Sequence, residues 1–167
     1  MGVNNTHSKT IKSAGTVFDI IEFLADRETA GVSEIARQLD FSKSTIHYYL
    51  KTLERKRYVV NENGRYRISL RLANLGATAL HKHKLTGLVE DHVQELAVEA
   101  EAPSAVAVEE GGRVIFIAVS GNDMHEIECP RVGLERYLHT TAYGKAILAH
   151  LPSDDLDRII SRHGLPN

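Results

Sequence analysis

The sequence predicts an α+β fold, because apolar residues follow two different patterns along the chain. Before Pro103 they recur every three or four positions, which indicates amphipathic helices. After Pro103 the period changes, and the segment Arg113–Ser120 is almost continuously apolar, as in a strand covered on both faces. The 167 residues, 43% hydrophobic and 25% charged, are typical of a globular protein with one large or two small domains.

Two short helices joined by a tight turn are predicted within Val32–Leu53. Ser33 and Ser42 are expected to cap their N-termini, because a serine hydroxyl can accept a hydrogen bond from an unpaired N–H of the first turn. Asp40 and Phe41 interrupt the helical pattern and form the turn. One side of each helix is apolar and should be buried; its members are Ile35, Ala36, Leu39, Ile46, Leu50 and Leu53.

The outward face of the second helix carries hydrogen-bond donors and positive charges. Its residues are Lys43, Ser44, Thr45, His47, Tyr48 and Lys51. A helix with an apolar back and a donor-rich front suits insertion into the DNA major groove, and the Ser42 N–H at its start can meet a phosphate. The alternative is an ordinary packed helix pair whose outward face is simply solvated.

A β-hairpin is predicted directly after the second helix. Its strands are Tyr58–Val60 and Arg65–Ile68, and the turn between them is Asn61–Gly64. Asn-Gly flanked by alternating residues is a strong hairpin signal. A helix-turn-helix followed by a basic hairpin is a winged helix-turn-helix, in which Arg65 and Arg67 on the wing are expected to contact DNA.

Three further helices are predicted before Pro103. They span Ala14–Ala25, Leu70–His83 and Leu85–Ala102, and Thr29–Gly31 is interpreted as a loop. The first helix should bury Val17, Phe18, Ile21 and Leu24, and the third Leu88, Val89, His92, Val93, Leu96, Ala97 and Ala100. The second helix carries the apolar stripe Leu72, Leu75, Ala79 and Leu80. We expect this stripe to join two chains in a homodimer, although part of it could instead cover the winged domain.

Strands and helices are also predicted after Pro103. The strands are Ala105–Glu109, Arg113–Ser120 and Glu126–Cys129, with a turn at Glu110–Gly112 and a loop over Pro130–Leu138. The helices are Thr140–Ala149 and Asp154–Arg162, the second capped by Ser153 and stopped by His163 and Gly164.

Basic and acidic residues are unevenly distributed along the chain. Residues 1–71 contain 12 Lys and Arg against 8 Asp and Glu, a net charge of +4. Residues 72–167 contain 8 against 14, a net charge of −6. Only the N-terminal part is therefore expected to meet a polyanion, and counterion release should make its affinity fall as the salt concentration rises.

Targeting to a membrane or to an oxidising compartment has no support in the sequence. No apolar run is long enough for a transmembrane helix, and the N-terminus lacks the apolar core of a signal peptide. The only cysteine, Cys129, excludes an internal disulfide and fits a reducing cytoplasm. Its thiol could be a redox sensor, but a lone strand cysteine is more often a packed apolar residue.

Neither a metal nor a cofactor is expected. His81 and His83 are two residues apart on a helix, so they do not share a face, and no Cys or carboxylate joins them at ligand spacing. The sequence also shows no Gly-rich phosphate loop, nucleophile elbow or paired carboxylates. An enzyme with a DNA-binding head is therefore the less favoured alternative.

Four blocks of the sequence resemble the isocitrate-lyase-regulator (IclR) family of transcriptional regulators. The blocks are VSEIARQLDFSKSTIHYYLKTL, YRISLRLANLGATAL, GGRVIFIA and LHTTAYGKAILAHLP, in the order and spacing of the family. The resemblance implies a winged helix-turn-helix over residues 1–70, a linker helix over 71–84 and a GAF-like effector domain over 85–167. It also implies a dimer or tetramer and an effector that is often an organic or aromatic acid.

Two departures from the family matter. The family usually has Arg where this chain has Tyr48, which alters one expected contact with a phosphate or a base. The family's effector domain usually continues well beyond the position of Asn167, so that the domain would be incomplete here. Either a naturally short member or a fragment fits this observation.

A small-molecule pocket is expected where the Thr140 helix begins. The first residues of that helix are Thr140, Thr141, Ala142, Tyr143 and Gly144, whose N–H groups and helix dipole suit a carboxylate. Ile127, Cys129 and Leu138 would supply apolar wall, and His139 could add a donor. The alternative is that a threonine merely caps the helix and that Gly144 permits close packing. The chain would then bind DNA without effector control, and its C-terminal domain would serve only assembly.

Overall fold

The structure, a computed structural model, describes residues 11–121 and 130–166. The described residues contain helices and antiparallel sheets, which confirms the predicted α+β class. They form two compact units, the first ending at Leu75 and the second beginning at Gly76. Each unit has its own sheet and its own hydrophobic core.

The first unit combines three helices with a three-stranded antiparallel sheet. Its elements are α1 (Lys12–Ala25), β1 (Ala30–Gly31), α2 (Val32–Gln38), α3 (Lys43–Arg55), β2 (Val59–Glu62), β3 (Arg65–Ile68) and the start of α4 (Arg71–Lys82). The sheet has the order β1-β3-β2, so the returning strand of the hairpin lies in its centre. The predicted helix pair and hairpin are therefore present, and together they form a winged helix-turn-helix.

The core of the first unit fixes the rotation of α3 about its own axis. Ile46 and Leu50 of α3 are fully buried and Leu53 is nearly so, and they pack in one cluster with Ile20 and Leu24 of α1. The apolar stripe predicted for α3 is thus confirmed. Because this stripe is buried, the remaining sides of the helix face solvent.

The buried side of α1 differs from the prediction. Phe18 was expected inside but is 62% exposed, and Val17 is only half-buried. The buried residues are Thr16, Ile20 and Leu24, which recur every four positions. Apolar side chains lie around much of this helix, so its pattern alone could not select the side that faces the core.

The turn between α2 and α3 depends on one left-handed residue. Asp40 has a φ of +55°, a conformation that Asp and Asn tolerate better than most residues. The turn closes when the Phe41 N–H donates to the Ala36 carbonyl at 2.9 Å, as in a Schellman motif. The Phe41 side chain then packs against the core.

The wing hairpin has a tighter turn than expected. Only Asn63 and Gly64 form the turn, with φ values of +55° and +85°, as a two-residue I′ turn requires. Asn61 and Glu62, predicted as turn residues, belong to β2. Tyr58, predicted as the first strand residue, precedes β2.

A short strand was missed in the predicted loop Thr29–Gly31. Ala30 pairs with Tyr66, and Gly31 pairs with Arg65, so that β1 extends the wing into a third strand. Two residues carry too little pattern to predict a strand, and pairing with β3 across the sequence creates it.

The predicted cap of α2 is wrong. The helix begins at Val32, so Ser33 lies inside its first turn, and the N-cap residue is Gly31. A glycine has no side chain to cap with, and the Glu34 carboxylate instead accepts a hydrogen bond from the Gly31 N–H at 2.7 Å. This is the half of a capping box that a glutamate supplies.

The second unit has helices on a second antiparallel sheet. Its elements are the rest of α4, then α5 (Thr86–Ala100), β4 (Ser104–Glu110), β5 (Arg113–Ser120), β6 (Glu135–Tyr137), α6 (Ala142–His150) and α7 (Ser153–His163). The strand order is β4-β5-β6. In the described parts of both units, no helix is both long enough and apolar enough to cross a bilayer.

Three details of the second unit correct the prediction. Strand β6 lies in the segment predicted as a loop, because its three residues are polar or charged and only their pairing with β5 makes a strand. Thr140 belongs to a short 3₁₀ turn, and α6 starts at Ala142. Ser153 is the first residue of α7 rather than its cap, which is Pro152. The strand predicted at Glu126–Cys129 lies outside the described residues.

The two helices around the unit boundary bury less than expected. In α5, Val93 and Ala97 are buried, but Leu88 is 67% and Leu96 52% exposed, because only one side of the helix meets the sheet. The predicted linker helix is present as α4, and none of its residues is buried by the part of the chain that the structure describes. Leu75 on its apolar stripe is 46% exposed.

We expect Gly144→Ala to destabilise the second unit by about 1–3 kcal/mol, the usual cost of overpacking. A Cβ at this position would collide with the backbone of Leu138, which cannot move as a side-chain tip can. Gly87→Ala in α5 is the matched control, because a Cβ there meets nothing within 4 Å. It should be neutral or stabilise the protein by up to about 1 kcal/mol. Urea unfolding of both variants measures the difference, and equal effects would contradict this account of Gly144.

Candidate nucleic-acid interface and ligand cleft

The start of α3 is organised by the Ser42 hydroxyl. Its Oγ accepts a hydrogen bond from the Thr45 N–H at 3.1 Å, which makes Ser42 the predicted N-cap. The same oxygen lies 2.9 Å from Ser44 Oγ and 2.8 Å from Thr45 Oγ1. Three hydroxyl groups therefore stand together at the positive end of the helix dipole.

The outward face of α3 presents the side chains that the sequence predicted there. Lys43, Ser44, His47, Tyr48 and Lys51 are exposed, and Thr45 is half-buried. Tyr48 is 74% exposed, which is unusual for a large aromatic residue unless it has a partner to meet. The rings of His47 and Tyr48 lie edge to face, with their centroids 6.3 Å apart.

The cations near this face differ in their partners. Lys43 makes no ion pair within the described residues. Lys51 Nζ lies 2.8 Å from the Glu54 carboxylate, and this hydrogen bond raises the pKa of the Lys51 ammonium. The charge of Lys51 is thus already paired with a carboxylate one turn along the helix.

Both wing arginines also have carboxylate partners. Arg67 lies 2.7 Å from the Glu62 carboxylate on the adjacent strand, and Arg65 lies 3.3 Å from the Glu34 carboxylate on α2. The sequence showed two basic residues on a hairpin but gave no signal for these pairs, because sheet pairing and the approach of α2 create them. A phosphate at the wing would have to compete with a carboxylate for each guanidinium.

A cleft of about 250 Å³ lies at the N-terminus of α6. Its lining residues are Pro103, Phe116, Pro130, Leu134, Arg136, Thr141, Ala142 and Tyr143. Phe116 of β5 and Tyr143 of α6 meet edge to face at 5.1 Å and form an aromatic wall. Arg136 supplies positive charge, and no carboxylate is among the described lining residues.

Only part of the predicted effector set lies in this cleft. Thr141, Ala142 and Tyr143 line it. Leu138 is buried in the core, and Gly144 packs against the Leu138 backbone. Ile127 and Cys129 lie outside the described residues.

Two other predicted residues bond within the protein instead. The His139 ring nitrogen Nε2 is 2.8 Å from the Pro166 carbonyl oxygen, and the Thr140 hydroxyl donates to the Tyr137 carbonyl oxygen. Thr141 also has a local role, because its hydroxyl caps α6 by accepting from the Gly144 N–H at 2.9 Å. The expected caps and close packing at the start of α6 are therefore present alongside the cleft.

The sequence did not identify Arg136 or Phe116 as site residues. Arg136 lies on the unpredicted strand β6, so the sequence offered no reason to expect its side chain near α6. Phe116 belongs to an apolar run in which no single residue stands out. In residues 11–121 and 130–166, no group of three His, Cys, Asp or Glu side chains could hold a metal ion.

Comparison with known proteins gives one consistent result. The model of the IclR helix-turn-helix domain matches residues 14–62, and that of the bacterial transcriptional regulator IclR C-terminal domain matches residues 77–167. The HTH-type transcriptional regulator KdgR of Dickeya chrysanthemi is 29% identical over 157 residues, covering 92% of this chain and 51% of the relative. KdgR of Escherichia coli is 26% identical, with 90% and 58% covered. The chain thus spans somewhat more than half the length of these relatives.

Solved structures share the fold. The IclR protein of Thermotoga maritima superimposes with a TM-score of 0.68 at 23% identity, covering 91% of this chain and 62% of that structure. An IclR homologue from Microbacterium hydrocarbonoxydans, solved in complex with 4-hydroxybenzoate, gives a TM-score of 0.69 at 21% identity, covering 89% and 62%.

The two serines near the helix starts should differ in their effect on stability. Ser42→Ala is expected to lower the free energy of unfolding by about 1 kcal/mol, because the Thr45 N–H loses its partner. Ser33→Ala should stay within about 0.5 kcal/mol of the wild type, since Ser33 is exposed inside α2. Urea denaturation followed by circular dichroism compares them. A larger loss at Ser33 than at Ser42 would show that the caps are wrongly assigned.

Proposed function

Because the chain belongs to the IclR family of transcriptional regulators, we propose that it binds specific double-stranded DNA sequences and that a small organic acid changes its DNA affinity. The observation that carries the proposal is the exposed, donor-rich face of α3 on a winged helix-turn-helix. The relatives named KdgR are transcriptional regulators. We place the protein in the cytoplasm, where it can reach its DNA, and assign it no catalytic role.

The proposed DNA surface centres on the first two turns of α3. Six side chains and one backbone N–H group would make the contacts: Lys43, Ser44, Thr45, His47, Tyr48 and Lys51, with the N–H of Ser42. Tyr48 and Thr45 would read base edges, and Lys43 would neutralise a phosphate. Lys51 and Arg67 would join them by exchanging their carboxylate partners for phosphates. Arg65, also predicted as a contact, is left out of this set because Thr29 and Glu34 hold its guanidinium.

We propose that two chains bind one operator. On the apolar stripe of α4, Leu75 and Ala79 are exposed, so the described residues cover the stripe only in part. Pairing of two such stripes would bury them and set two recognition helices for a palindrome with half-sites about 34–36 Å apart, or a multiple of that distance. Light scattering at micromolar concentration measures the mass of the assembly and so tests for a dimer. A further pairing of dimers would give a tetramer.

The cleft at α6 is the proposed effector site. The helix N-terminus and Arg136 both favour a negative charge, and Phe116 and Tyr143 offer a flat apolar wall. A small carboxylic acid, aromatic or aliphatic, fits this chemistry and the volume of about 250 Å³. A solved homologue of this fold holds 4-hydroxybenzoate, which makes that acid a rational first probe.

A second candidate function is DNA binding without effector control. Thr141 already caps α6, and Gly144 is required for close packing on Leu138, so both residues have structural reasons to be present. In that case the C-terminal unit would serve only assembly. Under effector control, DNA and the effector change each other's affinity for the protein by the same factor. Without effector control, neither changes the affinity of the protein for the other.

Variants of α3 should separate base reading from phosphate binding. Tyr48→Ala is expected to cost about 1–3 kcal/mol on a selected operator and to relax its sequence preference. Lys43→Gln should weaken binding to every duplex and reduce the salt slope by about 0.9, because one fewer phosphate is neutralised. Fluorescence anisotropy with labelled duplexes measures both.

The control for Lys43→Gln is Lys145→Gln on α6 in the second unit, which removes the same charge from another helix. It should leave affinity and salt slope unchanged. If Lys43→Gln and Lys145→Gln had equal effects, net charge rather than α3 would account for binding.

Small carboxylic acids should raise the melting temperature of the wild type in a thermal-shift screen that includes 4-hydroxybenzoate. Arg136→Gln should abolish the shift, because the carboxylate loses its counter-charge. Arg131→Gln, on the same segment but outside the cleft lining, should keep it. A shift that survives in Arg136→Gln would place the site elsewhere, and no shift with any acid would favour the effector-independent alternative.

A further inference from the structure

We infer that Arg65 is a positioning residue that ties the wing to the start of α2, and that it is not a phosphate contact. The inference rests on the proposed DNA-binding function, because it concerns how the wing is held for that purpose. The position of Arg65 on the wing would otherwise suggest contact with DNA.

Each nitrogen of the Arg65 guanidinium has a partner within the first unit, although the side chain is 52% exposed. Nε donates to Thr29 Oγ1 at 2.8 Å, and NH2 donates to the Thr29 carbonyl oxygen at 3.0 Å. NH1 lies 3.3 Å from Glu34 Oε2. All three nitrogens therefore have partners, and these partners belong to the segment before β1 and to α2, far from the wing in sequence. A phosphate would have to use the N–H groups that these contacts leave free, or displace Thr29 or Glu34 from the guanidinium.

Glu34 connects this arrangement to the helices. The same oxygen that faces Arg65 accepts the hydrogen bond from the Gly31 N–H at 2.7 Å, which begins α2. The Gly31 hydrogen bond, together with the charge of Arg65, lowers the pKa of the Glu34 carboxyl. One carboxylate oxygen thus joins the N-terminus of α2 to the wing, and a phosphate beside Arg65 would also stand beside this negative charge.

The backbone gives the wing little other attachment on this side. β1 and β3 share only two residue pairs, Ala30 with Tyr66 and Gly31 with Arg65. Tyr66 is buried in the core and pairs with Asn61 on the neighbouring strand of the hairpin. Arg65 directly follows the turn residue Gly64, so its bonds to Thr29 and Glu34 restrain the tip of the hairpin relative to α2.

Arg67 shows the difference between a wing arginine that anchors and one that does not. Its ion pair partner, Glu62, belongs to the neighbouring strand of the same hairpin, so the pair spans the wing without connecting it to a helix. Breaking that pair should therefore leave the attachment of the wing to α2 unchanged. Arg67 and Glu62 therefore supply matched controls for Arg65 and Glu34.

The test compares four single variants and one double variant on a mixed-sequence DNA duplex, over about 50–200 mM salt. Arg65→Gln should lower affinity up to about fivefold without changing the salt slope, whereas Lys43→Gln should lower the slope by about 0.9. Glu34→Gln should also lower affinity. The double variant that combines Glu34→Gln with Arg65→Gln should bind DNA no more weakly than either single variant, because both substitutions break the same link between the wing and α2. Glu62→Gln removes the same charge as Glu34→Gln and should not lower affinity.

Opposite results would overturn the inference. If Arg65 contacts a phosphate, Arg65→Gln lowers the salt slope as Lys43→Gln does. Glu34→Gln then raises affinity, because it frees the guanidinium and removes a negative charge. Unchanged affinity in Arg65→Gln, measured well below the unfolding temperature, would also refute a positioning role.

A measurement without DNA separates this inference from the proposed function. Amide hydrogen exchange of the free protein should become faster in the β1–β3 ladder in Arg65→Gln and stay unchanged in Arg67→Gln. If exchange responds in this way but the wild type binds no duplex, the positioning role of Arg65 is supported and the proposed DNA-binding function is refuted. If the wild type binds DNA and Arg65→Gln leaves exchange unaffected, the positioning role of Arg65 is refuted.

Discussion

The burial of Ile46 and Leu50 on the back of α3 is the constraint on which the first unit depends. These two side chains are fully buried with Ile20 and Leu24 of α1, so α3 has one permitted rotation about its axis. That rotation decides which residues meet solvent, and it separates the exposed Tyr48 from the core. The chemistry of the outer face is therefore set by packing on the inner face.

The sequence predicted well wherever a feature is local and repeats. The stripe of α3 repeats at helical spacing, and the Ser42 cap and the Asn-Gly turn lie within a few residues of the groups that they satisfy. The prediction of Ser33 as the cap of α2 failed because the helix begins at Val32, one residue before Ser33, where the Glu34 side chain accepts a hydrogen bond from the Gly31 N–H. The prediction that Phe18 is buried failed because apolar side chains lie around much of α1.

What the sequence could not predict depends on contacts between distant segments. Strands β1 and β6 have two and three residues, and only their neighbours in the sheet make them strands. The partners of Arg65 lie more than thirty residues before it. Arg136 reaches the α6 cleft only because β6 pairs with β5. Charge and residue type suggested sites, but only the fold shows which charges are already neutralised.

The exposed helix α4 has a thermodynamic consequence. A 12-residue helix with no residue buried by the described chain is marginal in water, because its nucleation cost is not offset by packing. Gly76 in its middle weakens it further, by roughly 0.5–1 kcal/mol relative to alanine. If two copies of α4 pair, helix ordering and association become a single cooperative event. The midpoint of thermal unfolding would then depend on protein concentration, as it does when a partner binds only the native state.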